Sequence, residues 1–191
     1  MAENRDHLIE MDSIVGDGDL GLTMGDGFKA AYEKAADGSV TDAGKLLYQA
    51  GKAMASAVPS TMGTLMASGL MQAGKVLKGT ETLENADVAK IFEAYEAGVA
   101  NRGKAKVGEK TFIDGIHPAV ESLNAAAALG APLEEMAAGA VKAAEDGFKS
   151  TTTMLAVHGR AATRGEASRS LEDPGAYVAV LIMKAFEKST K

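Results

Sequence analysis

Apolar residues recur at helical spacing along almost the whole of this chain, and no stretch alternates with the two-residue rhythm of a half-buried strand. Val88, Ile91, Phe92, Tyr95 and Val99 form one stripe; Phe112, Ile113, Ile116, Val120 and Leu123 form another. What fills the stripes narrows the fold further. Hydrophobic residues make up 46% of the 191, yet only 5% are aromatic and Trp is absent, while Gly supplies 22 and Met 10. Small and unbranched side chains suit closely packed helices, whereas strands favour β-branched and aromatic ones. The expectation is a single all-α domain over residues 1–191, with about eight or nine helices and short connections.

Local signals place the boundaries. His7, Leu8, Met11 and Ile14 give a short stripe that ends at an acidic loop. A helix follows from Leu22 to Ala36, closed by Asp37-Gly38. Thr41 is the expected cap of the next, with Leu46, Leu47, Ala50 and Met54 inward. Gly63 to Lys78 reads as a fourth helix, and the stripe from Val88 stops at Asn101-Arg102-Gly103. Thr111 caps a helix whose pattern Pro118 interrupts. Pro132 lies in the first turn of a helix through Phe148. Thr151 to Val157 reads as a further short helix, Gly159–Gly175 as irregular chain, and Pro174–Lys188 as the closing helix.

Several function classes drop out. A net charge of −6 without a polybasic segment argues against nucleic acid. No apolar run approaches the ~18–20 residues that span a bilayer, so no membrane role is expected. With no Cys there is no disulfide framework, Cys-based zinc site or Cys nucleophile. The N-terminal residues carry no signal-peptide core, and a cytoplasmic protein is the default expectation.

The run from Asp12 to Thr23 carries the chemistry. Asp12, Asp17 and Asp19 crowd into eight residues threaded with Gly16, Gly18 and Gly21, just before a helix. Two carboxylates ~4 Å apart repel by roughly 4 kcal/mol at an effective dielectric of ~20. A divalent cation among them removes that cost. Oxygen-only ligands suit Mg2+, and a glycine-rich helix N-terminus suits phosphate. The formal G-x-G-x-x-G match is misleading, because a helix rather than a strand precedes it. An EF-hand would need Glu where Phe28 stands, twelfth from Asp17. No P-loop motif exists. A solvated helix–helix turn with Asp as turn former stays open at this point.

Other segments add to that picture without deciding it. Ser60, Thr61 and Met62 lead into a helix; taken alone they read as a plain N-cap, with a nucleotide-lining turn as the second reading. Gly108 to Thr111 reads as a turn and cap, or as a contact to the ribose or base. Arg160 lies in an arginine-bearing irregular stretch and is the candidate for neutralising phosphate charge. His7, His117 and His158 lack metal-ligand spacing; His158 directly precedes Gly159-Arg160. Met62, Met66 and Met71 read as helix packing.

In order, GDGDLG, STMGTL, NRGKAKVGEKTFIDGIHPA, HGRAATRGEAS and EDPGA make nearly the whole chain resemble the L subunit of dihydroxyacetone kinase, the nucleotide-binding subunit of that family. The resemblance implies a barrel of about eight up-and-down antiparallel helices with ADP or ATP at one end. It implies two Mg2+ ions held by Asp12, Asp17 and Asp19. Nucleotide contacts carry over to Leu20, Gly21, Leu22 and Thr23, to Thr61 and Met62, to Gly103 and Phe112, and to Arg160, Asp173, Pro174 and Gly175. Arg160 takes the catalytic role. The implied partners are a K-type subunit that holds dihydroxyacetone or a related small ketose and, in phosphotransferase-linked systems, a phosphohistidine M-type protein. A homodimer stays open. Leu20, Thr23, the Ser60-Thr61-Met62 turn and Phe112 depart from the common family pattern around the nucleotide, which leaves another acceptor, such as a tetrulose, open. The first helix is shorter than the family's. Two other readings stand beside this one: a nucleotide-sensing module acting on a transcriptional regulator, and the nucleotide-binding part of a fatty-acid kinase.

Overall fold

The computed structural model describes residues 1–191. It is all-α: helices α1 (Arg5–Val15), α2 (Leu20–Ala35), α3 (Ala43–Ala57), α4 (Thr61–Val76), α5 (Asn85–Gly103), α6 (Phe112–Ala128), α7 (Leu133–Ser150) and α8 (Pro174–Ser189). Short 3-10 turns occupy Ala2–Asn4, Thr151–Thr153 and Ala161–Ser168, and there is no strand. By contact the chain divides into two compact units, Met1–Arg5 with Gly21–Lys104, and Asp6–Leu20 with Ala105–Lys191. No helix is long and apolar enough to cross a membrane.

In the first unit α4 packs against both α3 and α5. Gly44 on α3 and Gly74 on α4 face one another. A Cβ on Gly44 would lie 2.5 Å from the Gly74 carbonyl oxygen, and one on Gly74 would lie 2.6 Å from that of Gly44. Gly98 on α5 meets the Ser68 carbonyl in the same way, at 2.6 Å. At these crossings glycine lets the helices meet backbone to backbone. Tyr95 lies across Gly69 and directs its hydroxyl to Met66 Sδ at 3.0 Å; burial raises its phenol pKa. The cap of α3 is Asp42, not Thr41. Its carboxylate accepts from the N–H groups of Lys45 (2.9 Å) and Gly79 (3.1 Å), two bonds where a hydroxyl offers less. Thr41 turns to Glu81 instead.

In the second unit α6, α7 and α8 pack on one another. The expected inward residues of α6, Phe112, Ile113, Ile116, Val120 and Leu123, are all buried. Pro118 does not break that helix, which runs through it. Proline removes the N–H that would bond the Asp114 carbonyl. Gly147 of α7 sits against that carbonyl, where any Cβ would strike it. The α1 stripe turns inward through Leu8, Met11 and Val15, leaving Ile14 51% exposed, so the i, i+3, i+7 set wins over the expected one. His7 of α1 meets the Tyr177 ring of α8 edge-on, with centroids 5.1 Å apart.

Some boundaries shift. α2 begins at Leu20 and α4 at Thr61, each two residues earlier than the apolar pattern shows. Pro132 is the N-cap of α7 rather than a first-turn residue. The expected helix from Thr151 to Val157 shrinks to the turn Thr151–Thr153, because each threonine hydroxyl donates to a carbonyl three residues back. The stretch after Gly159 is partly ordered, in a 3-10 segment kinked at Gly165 (φ +56°).

Candidate metal and nucleotide site

The acidic loop joins α1 to α2. Asp12 lies on the last turn of α1 and is half-buried; Asp17 and Asp19 are exposed on the loop. Asp12 accepts the Leu20 N–H at 3.2 Å and so ties the end of α1 to the start of α2. Gly18 adopts φ +75°, and a Cβ on Gly16 would strike the Asp12 carboxylate; side chains at either place would strain this bend. As folded, one carboxylate oxygen from each of Asp12, Asp17 and Asp19 falls within 4.8 Å of the others. Burial raises the Asp12 pKa first, opposed by the Leu20 N–H, and the charges of Asp17 and Asp19 raise it further. Three anionic oxygens at this spacing make a hard, all-oxygen donor set of the kind Mg2+ takes.

Arg160 reaches this cluster. Its Nη2 lies 2.6 Å from Asp17 Oδ2, with the guanidinium 69% exposed. The segment that carries it is pinned by buried polar groups. The Lys110 side chain, 2% exposed, donates from its amine to the carbonyls of Thr151 and Leu171, and at longer range to that of Arg169. Its backbone sits at φ +61°, and burial lowers its pKa. Ser168, fully buried, accepts the Ala156 N–H and donates to the Gly165 carbonyl. His158 Nε2 lies 2.6 Å from the Glu109 carboxylate, and His158 holds the Glu109 pKa below its usual value. Sequence reasoning placed Lys110 only in a turn and left His158 unassigned. Neither side chain's partner is near it in sequence, so no local signal could reveal the pairings.

The other expected contacts fall in two groups. Within the second unit, Phe112 (3% exposed) opens α6 beside Gly175, whose Cβ would come 3.2 Å from the Phe112 nitrogen. Asp173 caps α8 by accepting the Ala176 N–H at 2.7 Å, with Pro174 following at the first helical position. Within the first unit, Thr61 and Met62 open α4, and Gly103 closes α5 against Leu65, one turn on from Thr61. Gly21, Leu22 and Thr23 form the first turn of α2; Thr23 is buried and Leu22 is 40% exposed.

Burial pushes the Asp173 carboxyl up to about 7, against the pull of the Ala176 N–H and the Lys110 cation. The folded value thus lies above the unfolded one of 3.8. Between these values the native chain binds the proton more tightly, so stability falls as pH rises through the window. Asp173→Asn keeps the cap acceptor and removes the titration. Urea unfolding at pH 5 and pH 8 is expected to show a wild-type loss of about 2–3 kcal/mol that the variant lacks. Equal losses in the two proteins would refute this.

Comparison with known proteins shows the family to which the chain belongs. The DAK2 domain family matches residues 14–188. The ADP-binding subunit DhaL of the PEP-dependent dihydroxyacetone kinase of Escherichia coli is 32% identical over 97% of this chain and 89% of its own length. The L-erythrulose 1-kinase of Mycolicibacterium smegmatis is also 32% identical, over 96% of this chain but 32% of its own length. Two crystal structures of the dihydroxyacetone kinase of C. freundii superpose on 98% of the chain. The native form does so at TM-score 0.73 and 24% identity, the complex with AMP-PNP and Mg2+ at 0.67 and 25%. This chain spans about a third of those solved chains. The chain belongs to the DAK2 family and, within it, to the ADP-binding subunits of dihydroxyacetone kinases.

Proposed function

We propose that this chain holds a Mg2+–nucleotide complex and works in the cytoplasm as the phosphoryl-donating subunit of a kinase for dihydroxyacetone or a related small ketose. The acceptor is held by a K-type partner, and a phosphohistidine M-type protein renews the bound nucleotide. The observation that carries the reading is the meeting of three carboxylate oxygens within 4.8 Å, with Arg160 seated on Asp17.

Asp12, Asp17 and Asp19 are the residues that would hold two Mg2+ ions. Bound there, Mg2+ would neutralise charge on the phosphates. The chain's own contributions are separable. Asp12 fixes the bend through the Leu20 N–H and brings its carboxylate to those of Asp17 and Asp19. The Leu20 N–H is taken by Asp12; after it, Gly21, Leu22 and Thr23 open α2 at the positive end of the helix dipole, which suits an anion. Arg160 offers a guanidinium that can exchange its carboxylate partner for a phosphate oxygen. The resemblance further proposes nucleotide contacts at Thr61, Met62 and Gly103 of the first unit, and at Phe112, Asp173, Pro174 and Gly175 of the second. The pairing of GDGDLG with HGRAATRGEAS favours a ketone kinase over a fatty-acid kinase. The erythrulose kinase among the relatives keeps a tetrulose among the acceptors to assay.

Calorimetric titration with ADP tests the reading. Binding is expected with Mg2+ present and is expected to vanish with EDTA. A K-type subunit should then support transfer to dihydroxyacetone or erythrulose. Binding that ignores EDTA, or none at all, would end this assignment.

A further inference from the structure

We propose that Glu109 and His158 form a positioning device for Arg160, fixing the stretch between Ala156 and Gly159 so that the guanidinium is aimed at Asp17 and at the phosphate beside it. The proposal rests on the reading of the acidic loop as a metal–nucleotide site.

An arginine side chain loses much rotamer freedom when held in one place. Arg160, 69% exposed, has little packing to hold it, so its aim depends on where its backbone starts. That backbone is fixed on both sides. After it, the Thr163 N–H and hydroxyl bond the Arg160 carbonyl at 3.1 and 2.7 Å, which makes Arg160 the start of a 3-10 turn. Before it, the Ala156 N–H is held by the buried Ser168 hydroxyl. Between these points the chain is gripped by Glu109. Its carbonyl accepts the Val157 N–H at 3.3 Å, and its carboxylate lies 2.6 Å from His158 Nε2. Immediately afterwards Gly159, at φ +64°, turns the chain into Arg160.

Glu109 is itself held. Its carboxylate also accepts the Lys106 N–H at 2.8 Å, and the next residue is Lys110, whose amine ties down Thr151 and Leu171. A rigid turn thus grips the Arg160 segment with main chain and side chain together. The pair fills no core, since the His158 and Glu109 side chains are 35% and 26% exposed. It contributes geometry rather than buried area, and geometry is what a guanidinium needs to meet a phosphate.

A double-mutant cycle on Mg2+–ADP affinity tests this. His158→Ala and Glu109→Ala are each expected to weaken binding about tenfold, the scale of groups that orient ligands. In the background of Arg160→Ala, neither should weaken it further. His158→Gln, which keeps an N–H donor for Glu109, should recover most of the loss. Melting curves should stay within a few degrees of wild type; if His158→Ala falls further, the Glu109→Ala cycle decides. Losses that persist in full without Arg160, or no loss at all, overturn the positioning role while leaving the metal site standing. Wild-type protein that takes up no Mg2+–ADP overturns the underlying reading, and this proposal with it.

Discussion

The double variant Asp17→Asn/Asp19→Asn is expected to lose Mg2+-dependent ADP affinity by at least about a hundredfold, more than is usual for groups that only orient a ligand. The residual binding should no longer respond to Mg2+. Asparagine keeps the size and an acceptor oxygen but removes the charge on which a hard cation depends. Both positions are exposed and contribute nothing to the core, so the fold should survive. In Mg2+-free buffer the melting point should change little, because relief of the repulsion on Asp12 is offset by loss of the exposed Asp17–Arg160 pair. Calorimetry with and without EDTA, together with a melting curve, reads both effects. A variant that binds Mg2+–ADP as wild type does would show that the acidic loop is only a turn.

Lys110→Met should destabilise the chain by about 3 kcal/mol, and the loss should be local in origin. The methionine fills much the same volume but cannot donate, leaving the carbonyls of Thr151 and Leu171 without their amine. Each buried acceptor stripped of its donor costs about 1–3 kcal/mol. Relief from burying the ammonium works the other way, which keeps the total below the simple sum. Since Lys110 closes the stretch from Thr151 to Leu171, trypsin should cut sooner at Arg160, Arg164 and Arg169. Equilibrium urea unfolding and a timed digest measure the two consequences. A neutral or stabilising outcome would mean that the two carbonyls find other donors.

The sequence is informative wherever the determining interaction is local. The stripe from Phe112 to Leu123 was legible because those residues share one helix face, and Asp12, Asp17 and Asp19 because they sit close in sequence. Pro118 misled because its tolerance depends on Gly147 in another helix. Ile14 misled because Val15 continues the Leu8–Met11 face one step along. Thr41 lost the cap to Asp42 because Gly79, distant in sequence, supplies a second donor. At the site, the Asp17–Arg160 and Glu109–His158 pairs join residues from segments far apart in the chain. No spacing rule links them, and only folding brings them together.

The meeting of Gly44 with Gly74 limits how this protein can change over generations. At most helix crossings a gain of volume on one side can be absorbed by a loss on the other, and the pair can wander together through sequence space. Here both partners are already at the smallest size available, so neither has anything to give up. A larger residue at either position would have to be met by the two helices moving apart.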